Sequence, residues 1–128
     1  MPIEFSEIKE KVTWEEAQEY AKSLGEGWRV PWKYELMLIQ ATKIIDNEYT
    51  SKWYEFFHVC HLWACDKFEK APTHAWVVNP DFGQVYTENK NTYQVVRCIK
   101  GTTEDLVRYL FEDVLNGTIV PKDYNKEP

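Results

Sequence analysis

Apolar residues recur every three or four positions over Trp14, Ala17, Tyr20, Ala21 and Leu24, which predicts an amphipathic helix from Thr13 to Leu24. Its start is marked by Thr13 and Glu16, spaced as a capping box, and Gly25 supplies the left-handed residue that ends such helices. Before it, Ile3, Phe5 and Ile8 among polar residues predict a short first strand. The stretch from Gly25 to Leu36 reads as a structural joint, with Pro31 beside the first turn of a second helix and Trp28, Val30 and Trp32 as plugs. That second helix runs from about Trp32 to Ile45, carries Leu36, Ile39, Ile44 and Ile45, and breaks at Asp46-Asn47.

Ser51 to Cys65 is dense in aromatics and ends in Leu62-Trp63-Ala64-Cys65, a strand entering the core; Asp66 to Thr73 is polar and reads as a loop. From His74 the period becomes that of a sheet. Ala75-Trp76-Val77-Val78, Gln84-Val85-Tyr86-Thr87 and Tyr93 to Ile99 are strands, separated by turn chemistry at Asn79-Pro80-Asp81-Phe82-Gly83 and Glu88-Asn89-Lys90-Asn91. The expected result is an antiparallel meander with helices on one side, an α+β domain. Beyond it, Leu106, Val107, Leu110, Phe111, Val114 and Leu115 form one stripe of a further helix that Gly117 ends. The expected organisation is a domain over 1–100, an appended amphipathic helix over 101–117 and a loosely held tail over 118–128.

Composition adjusts this picture in a few places. The chain has 128 residues, enough for one cored domain, and 6 Trp, 8 Tyr and 6 Phe make much of that core aromatic. The net charge of −6 and the lack of clustered Lys and Arg argue against nucleic-acid binding. No leader and no bilayer-spanning run is visible, so the chain as given is expected to be soluble, cytoplasmic in a bacterial host, or in a virion or extracellular if a leader has been removed. Its three cysteines leave at least one thiol unpaired.

Candidate chemistry is sparse. His58, Cys60, His61 and Cys65 offer four metal ligands in eight residues, but in a strand their side chains divide between two faces, and no second Cys/His pair follows at zinc-finger spacing. They are better explained as core thiols and half-buried histidines, and the same alternation opposes a two-cysteine redox site; Cys98 reads as a small hydrophobe. Asn79-Pro80-Asp81 could offer oxygens to calcium, but Asn-Pro-Asp-x-Gly is ordinary hairpin chemistry and no Trp-Asn-Asp run accompanies it. Glu15-Glu16 and Glu104-Asp105 complement helix dipoles, and Arg29 is expected to form a buried structural ion pair. No metal, cofactor or catalytic residue is expected.

The order Thr13-Trp14-Glu15-Glu16-Ala17, Trp28-Arg29-Val30-Pro31 with Glu35-Leu36, Leu62-Trp63-Ala64-Cys65, Ala75-Trp76-Val77-Val78 with Gly83, and Val96-Arg97-Cys98-Ile99 resembles a bacterial and phage family. It is the domain at the C-termini of Lcl-type collagen-like adhesins and in many lipoproteins. The resemblance covers roughly residues 10 to 100 and implies a C-type-lectin-like fold, shared with formylglycine-generating enzymes, in which the first and last strands pair. Two departures stand out. Trp32 occupies the place where the family usually has a small hydroxyl residue, so the second helix loses an N-cap, and Trp63-Ala64-Cys65-Asp66 replaces a tryptophan followed by hydroxyl residues. Function resting on those hydroxyls is not expected here.

These readings together predict a non-enzymatic module that binds a protein through the loop-rich side formed by Asp66 to His74 and Thr87 to Asn91. Asp66, Lys67, His74, Tyr86, Glu88, Asn89 and Asn91 are the candidate contact residues. An accessory protein of a phage or mobile element is the expected setting. The alternatives are a structural subunit of a virion or cell-surface assembly and a metal- or thiol-dependent enzyme, with self-association through the 103–116 helix as the route to an oligomer.

Overall fold

The computed structural model of the chain describes residues 3–45, 61–79 and 84–115. In chain order the elements are β1 (Glu4–Val12), α1 (Trp14–Ser23), β2 (Trp28–Arg29), α2 (Lys33–Ile45), β3 (Leu62–Lys67), β4 (His74–Asn79), β5 (Gln84–Asn89), β6 (Gln94–Lys100) and α3 (Thr103–Leu115). The architecture is α+β, as expected, and its first and last strands pair, Phe5 opposite Ile99 and Val12 opposite Gln94.

Local chemistry accounts for the helices. The Glu16 amide donates to Thr13 Oγ1 and the Thr13 amide donates to Glu16 Oε1, so the capping box is complete. Gly25 follows the helix at a φ of 112°, the left-handed region that favours glycine. Thr102 and Asp105 repeat the reciprocal cap at α3. The short β2 lies inside the joint that the sequence presents as a turn; its two residues lie opposite Lys100 and Ile99 of β6.

The meander is corrected. β4 and β5 form an antiparallel hairpin in unbroken register from His74–Asn89 to Asn79–Gln84, but β6 does not return beside β5. The strand order is β1-β6-β3-β4-β5, with β6 parallel to β3 and antiparallel to β1 and β2. β6 is central because both its faces are apolar: Val95 and Ile99 face one cluster, Val96 and Cys98 the other.

The helices also lie on both sides of the sheet rather than one. Ala17 and Ala21 of α1 pack with Val12, Val30, Trp63, Ala75, Val77, Val96 and Cys98. Leu36 and Ile39 of α2 and Leu106 and Leu110 of α3 pack with Leu62, Ala64, Val78, Val95 and Ile99. Alternation along β3 sends Trp63 to the first layer and Leu62 and Ala64 to the second. The Trp63 indole donates to Val12 O at 2.9 Å, which satisfies its N–H inside the core.

Ladder irregularities carry the remaining design. β1 has two register shifts against β6, and at the first Ser6 Oγ accepts the Cys98 amide at 2.8 Å. β3 gains two residues on β4 between Trp63 and Lys67. There the Cys65 amide donates to Pro31 O and the Trp14 indole donates to Ala64 O, so backbone groups released from the ladder bond to the α1 start and the Pro31 corner instead.

Candidate functional site

Two structural features account for much of the polar chemistry, and only one is open. The closed one is the joint after β2. Arg29 Nη1 and Nη2 donate to Glu35 Oε1 and Oε2 at 2.7 and 2.8 Å, and Nε and Nη2 also donate to Gly101 O. Glu35 is fully buried and accepts from the Trp32 amide and Thr103 Oγ1 as well. Burial alone would raise the Glu35 carboxyl, but the Arg29 hydrogen bond, the Trp32 amide, the Arg29 charge and Thr103 hold it below its ordinary value. Arg29 is thus the structural ion pair expected of it.

The open feature lies at the end of the β4–β5 hairpin. The Lys90 amide donates to Thr73 O, the Asn91 amide to Asn89 Oδ1 and the Thr92 amide to Asn89 O, a compact Asx-type turn. The Trp14 amide donates to Lys90 O and Lys90 Nζ stands 4.4 Å from the centre of the Trp14 ring, which ties the turn to the start of α1. A polar cleft of about 200 Å³ results, lined by Thr13, Glu15, Thr73, Asn89, Lys90 and Asn91. It presents hydroxyls, carboxamides, one carboxylate and one ammonium, groups suited to recognising polar surface.

The expected contact residues divide. Asn89 and Asn91 line the cleft, and His74 and Glu88 flank it at the same end of the hairpin, His74 opposite Asn89 and Glu88 opposite Ala75. Lys67, the exposed last residue of β3, lies opposite Ala75. Asp66 and Tyr86 are elsewhere. Asp66 belongs to β3 rather than a loop, and its Oδ1 accepts the Lys33 amide at 2.7 Å. It supplies from another element the N-terminal acceptor that Trp32 does not. Tyr86 lies mid-hairpin opposite Val77, its hydroxyl hydrogen-bonded to His61 Nδ1 with the rings edge to face. Burial, with the Glu88 charge adding to it, raises the Tyr86 phenol. The strands continue to Lys67 and Asn89, so the two loops are shorter than the sequence suggests. Thr73 and Lys90 lie within the expected loops but were not among the named contact residues, and Thr13 and Glu15 lie outside those loops. Thr13 and Glu15 carry a clear local signal for helix capping, and nothing local reveals that Lys90 will arrive beside them.

Trp32 does not plug the joint as expected; it is 42% exposed. Among the described residues no group of three or more His, Cys, Asp and Glu side chains could hold a metal ion. His58, Cys60 and the turn residues Pro80 and Asp81 lie outside the described residues. Burial and the neighbouring Asp66 charge push the Cys65 thiol up to about 12, and burial pushes Cys98 up to about 11 against a Ser6 hydrogen bond. Neither carries appreciable thiolate at neutral pH.

The sequence model of the Lcl C-terminal domain matches residues 4–100. No curated protein matches the chain. Among solved structures, a chain of the complex between a mutant von Willebrand factor A1 domain and botrocetin is 9% identical, with a TM-score of 0.48 over 78% of this chain and 91% of that one. EMS16, an antagonist of the collagen receptor integrin alpha2beta1, is 16% identical, with a TM-score of 0.47 over 78% of this chain and 92% of that one. No helix among the described residues is long and apolar enough to cross a membrane.

Proposed function

The chain belongs to the Lcl C-terminal domain family, and from that premise we propose that it is a non-enzymatic binding module whose partner is a protein. The observation that carries this reading is the cleft at the hairpin end, where Thr13 and Glu15 of the α1 start meet Thr73, Asn89, Lys90 and Asn91. Side chains from three separate segments converge there, and the Lys90 amide to Thr73 O and the Trp14 amide to Lys90 O tie those segments together. His74 and Glu88 lie at the same end of the hairpin as the cleft, and Lys67 lies at the adjoining end of β3. Thiol-dependent chemistry at Cys65 or Cys98 is opposed by their raised thiols, which are poor nucleophiles. An accessory protein of a phage or mobile element that meets a host protein fits this reading and the net charge of −6.

A photoreactive residue placed at Asn91 tests it, with the same residue at exposed Glu10 of β1 as the control. The expected outcome is a discrete protein adduct from Asn91 and none from Glu10, lost when Glu15→Arg closes the cleft while melting is unchanged. Native mass spectrometry of protein purified without chelator is the companion measurement. Stoichiometric zinc, copper or calcium would overturn the reading in favour of metal-dependent function, and a stable oligomer would favour the assembly-subunit alternative.

A further inference from the structure

The sheet has two edge strands, β1 and β5, and they are built differently. An edge presents unpaired backbone donors and acceptors to any extended chain, and proteins blunt it with charges, bulges and irregular backbone. β1 has all three: the charges of Glu4, Glu7, Lys9, Glu10 and Lys11, two register shifts against β6, and Lys11 at a left-handed φ of 56°. β5 runs for six residues in unbroken register with β4, has no proline, and carries Glu88 as its one charge. The Lys90 amide donates to Thr73 O, one step beyond the His74–Asn89 pair, and bonded and non-bonded pairs alternate along an antiparallel ladder. Gln84, Tyr86 and Glu88 therefore bond toward β4, while the amides and carbonyls of Val85 and Thr87 point away from it. Among the described residues no strand covers them.

We infer that the outer edge of β5 takes an extended segment of a protein partner as an added antiparallel strand, with a cation opposite Glu88. The inference rests on the protein-binding reading above and specifies how the partner's chain is held. Continuity with the hairpin-end cleft supports it, since β5 ends at Asn89, which lines that cleft. Strand alternation defines the segment's side chains. On the α1 side of the sheet they lie beside Tyr86 and Glu88, and on the α2 side beside Val85 and Thr87. An aromatic residue and a cation suit the first face, and β-branched residues suit the second. A second copy of the chain fits less well, because it brings the same net charge of −6.

Titration of the full-length protein with the peptide acetyl-Thr-Lys-Val-Tyr-Val-Lys-amide, followed by amide nitrogen-proton spectra and hydrogen exchange, tests the inference. Aligned antiparallel, the peptide sets its first lysine opposite Glu88 and its tyrosine opposite Tyr86. Saturable shifts are expected along β5, with exchange slowed at the Val85 and Thr87 amides rather than at those of Tyr86 and Glu88, which already bond toward β4. N-methylation of the two peptide valines, whose amides face β5, should abolish binding, and N-methylation of the tyrosine, whose amide faces outward, should spare it. Glu88→Lys should weaken binding roughly twofold to fivefold, and exchanging the first peptide lysine for glutamate should restore it. Thr87→Pro should abolish binding while the Trp63 indole, bonded to Val12 O in the core, keeps its resonance. No saturable shift, equal binding of the two methylated peptides, or a concentration-dependent dimer that protects the same amides without peptide would overturn the inference. A protein adduct at Asn91 without peptide binding would sink the edge alone, whereas peptide binding without that adduct would strike the hairpin-end cleft and leave the edge standing.

Discussion

Glu35 is the residue on which the joint turns. A buried carboxylate is tolerable here because four donors reach it: both Arg29 terminal nitrogens, the Trp32 amide and Thr103 Oγ1. Those contacts join β2, the start of α2 and the start of α3 in one network, and Arg29 extends it to Gly101 O. Glu35→Gln keeps the shape but breaks the ion pair, and should lower stability at pH 7 by about 3 kcal/mol in urea denaturation. The pH dependence has a definite sign. Glu35 is depressed in the folded state, so its contribution is fully present above the unfolded-state value of about 4.3 and is lost as pH falls through the lower folded value. The wild-type and Glu35→Gln stability curves should therefore converge as pH drops below about 4.3. Parallel curves would show that the carboxylate charge contributes nothing.

At the scale of elements, the α2 start shows one helix capped by another strand. Pro31 and Trp32 offer no side-chain acceptor, yet the Lys33 amide finds Asp66 Oδ1 and the Trp32 amide finds Glu35 Oε1. The bulge in β3 places Asp66 there, and the same bulge brings the Cys65 amide to Pro31 O. Asp66→Ala should cost about 1 kcal/mol and Asp66→Asn only a few tenths, measured as shifts in Tm. Equal losses would mean that charge rather than the hydrogen bond matters. Removing this cap should leave the hairpin-end cleft intact, because the cleft is held by Thr73, Lys90 and Trp14 backbone bonds.

For the whole molecule, the question is whether α3 is an appendage. The family match stops at residue 100, but Leu106 and Leu110 share one buried cluster with Leu36, Ile39, Leu62 and Ile99. Gly101, at a φ of 132°, makes the turn between β6 and α3, where an added Cβ would stand 2.7 Å from Ile3 Cδ1. Leu106→Ala should cost about 2–5 kcal/mol, and a chain ending at Lys100 should lose cooperative melting because that face of the sheet loses its cover. A 1–100 fragment that melts as sharply as the full chain would make α3 an independent device available for partners.

Much of this protein is written in its local chemistry. The Thr13–Glu16 box, Gly25, the apolar stripes of α1 and α3, the β4–β5 hairpin and the Arg29 ion pair follow from short-range preferences, and those are present in the sequence as pattern. The family was legible too, from ordered short motifs over its whole length. Tertiary structure alone decided where β6 goes. Its two apolar faces make it central, but whether it returns beside β5 or inserts between β1 and β3 depends on which pairing buries both faces, a sum over contacts distant in sequence. The same holds for Asp66, polar in sequence and read as loop, whose role was fixed by a helix start 33 positions away. The hairpin-end cleft belongs to this second class: Asn89 and Asn91 announce a turn, while Thr13 and Glu15 announce a cap. Only the fold, by bonding the Trp14 amide to Lys90 O, makes them one surface.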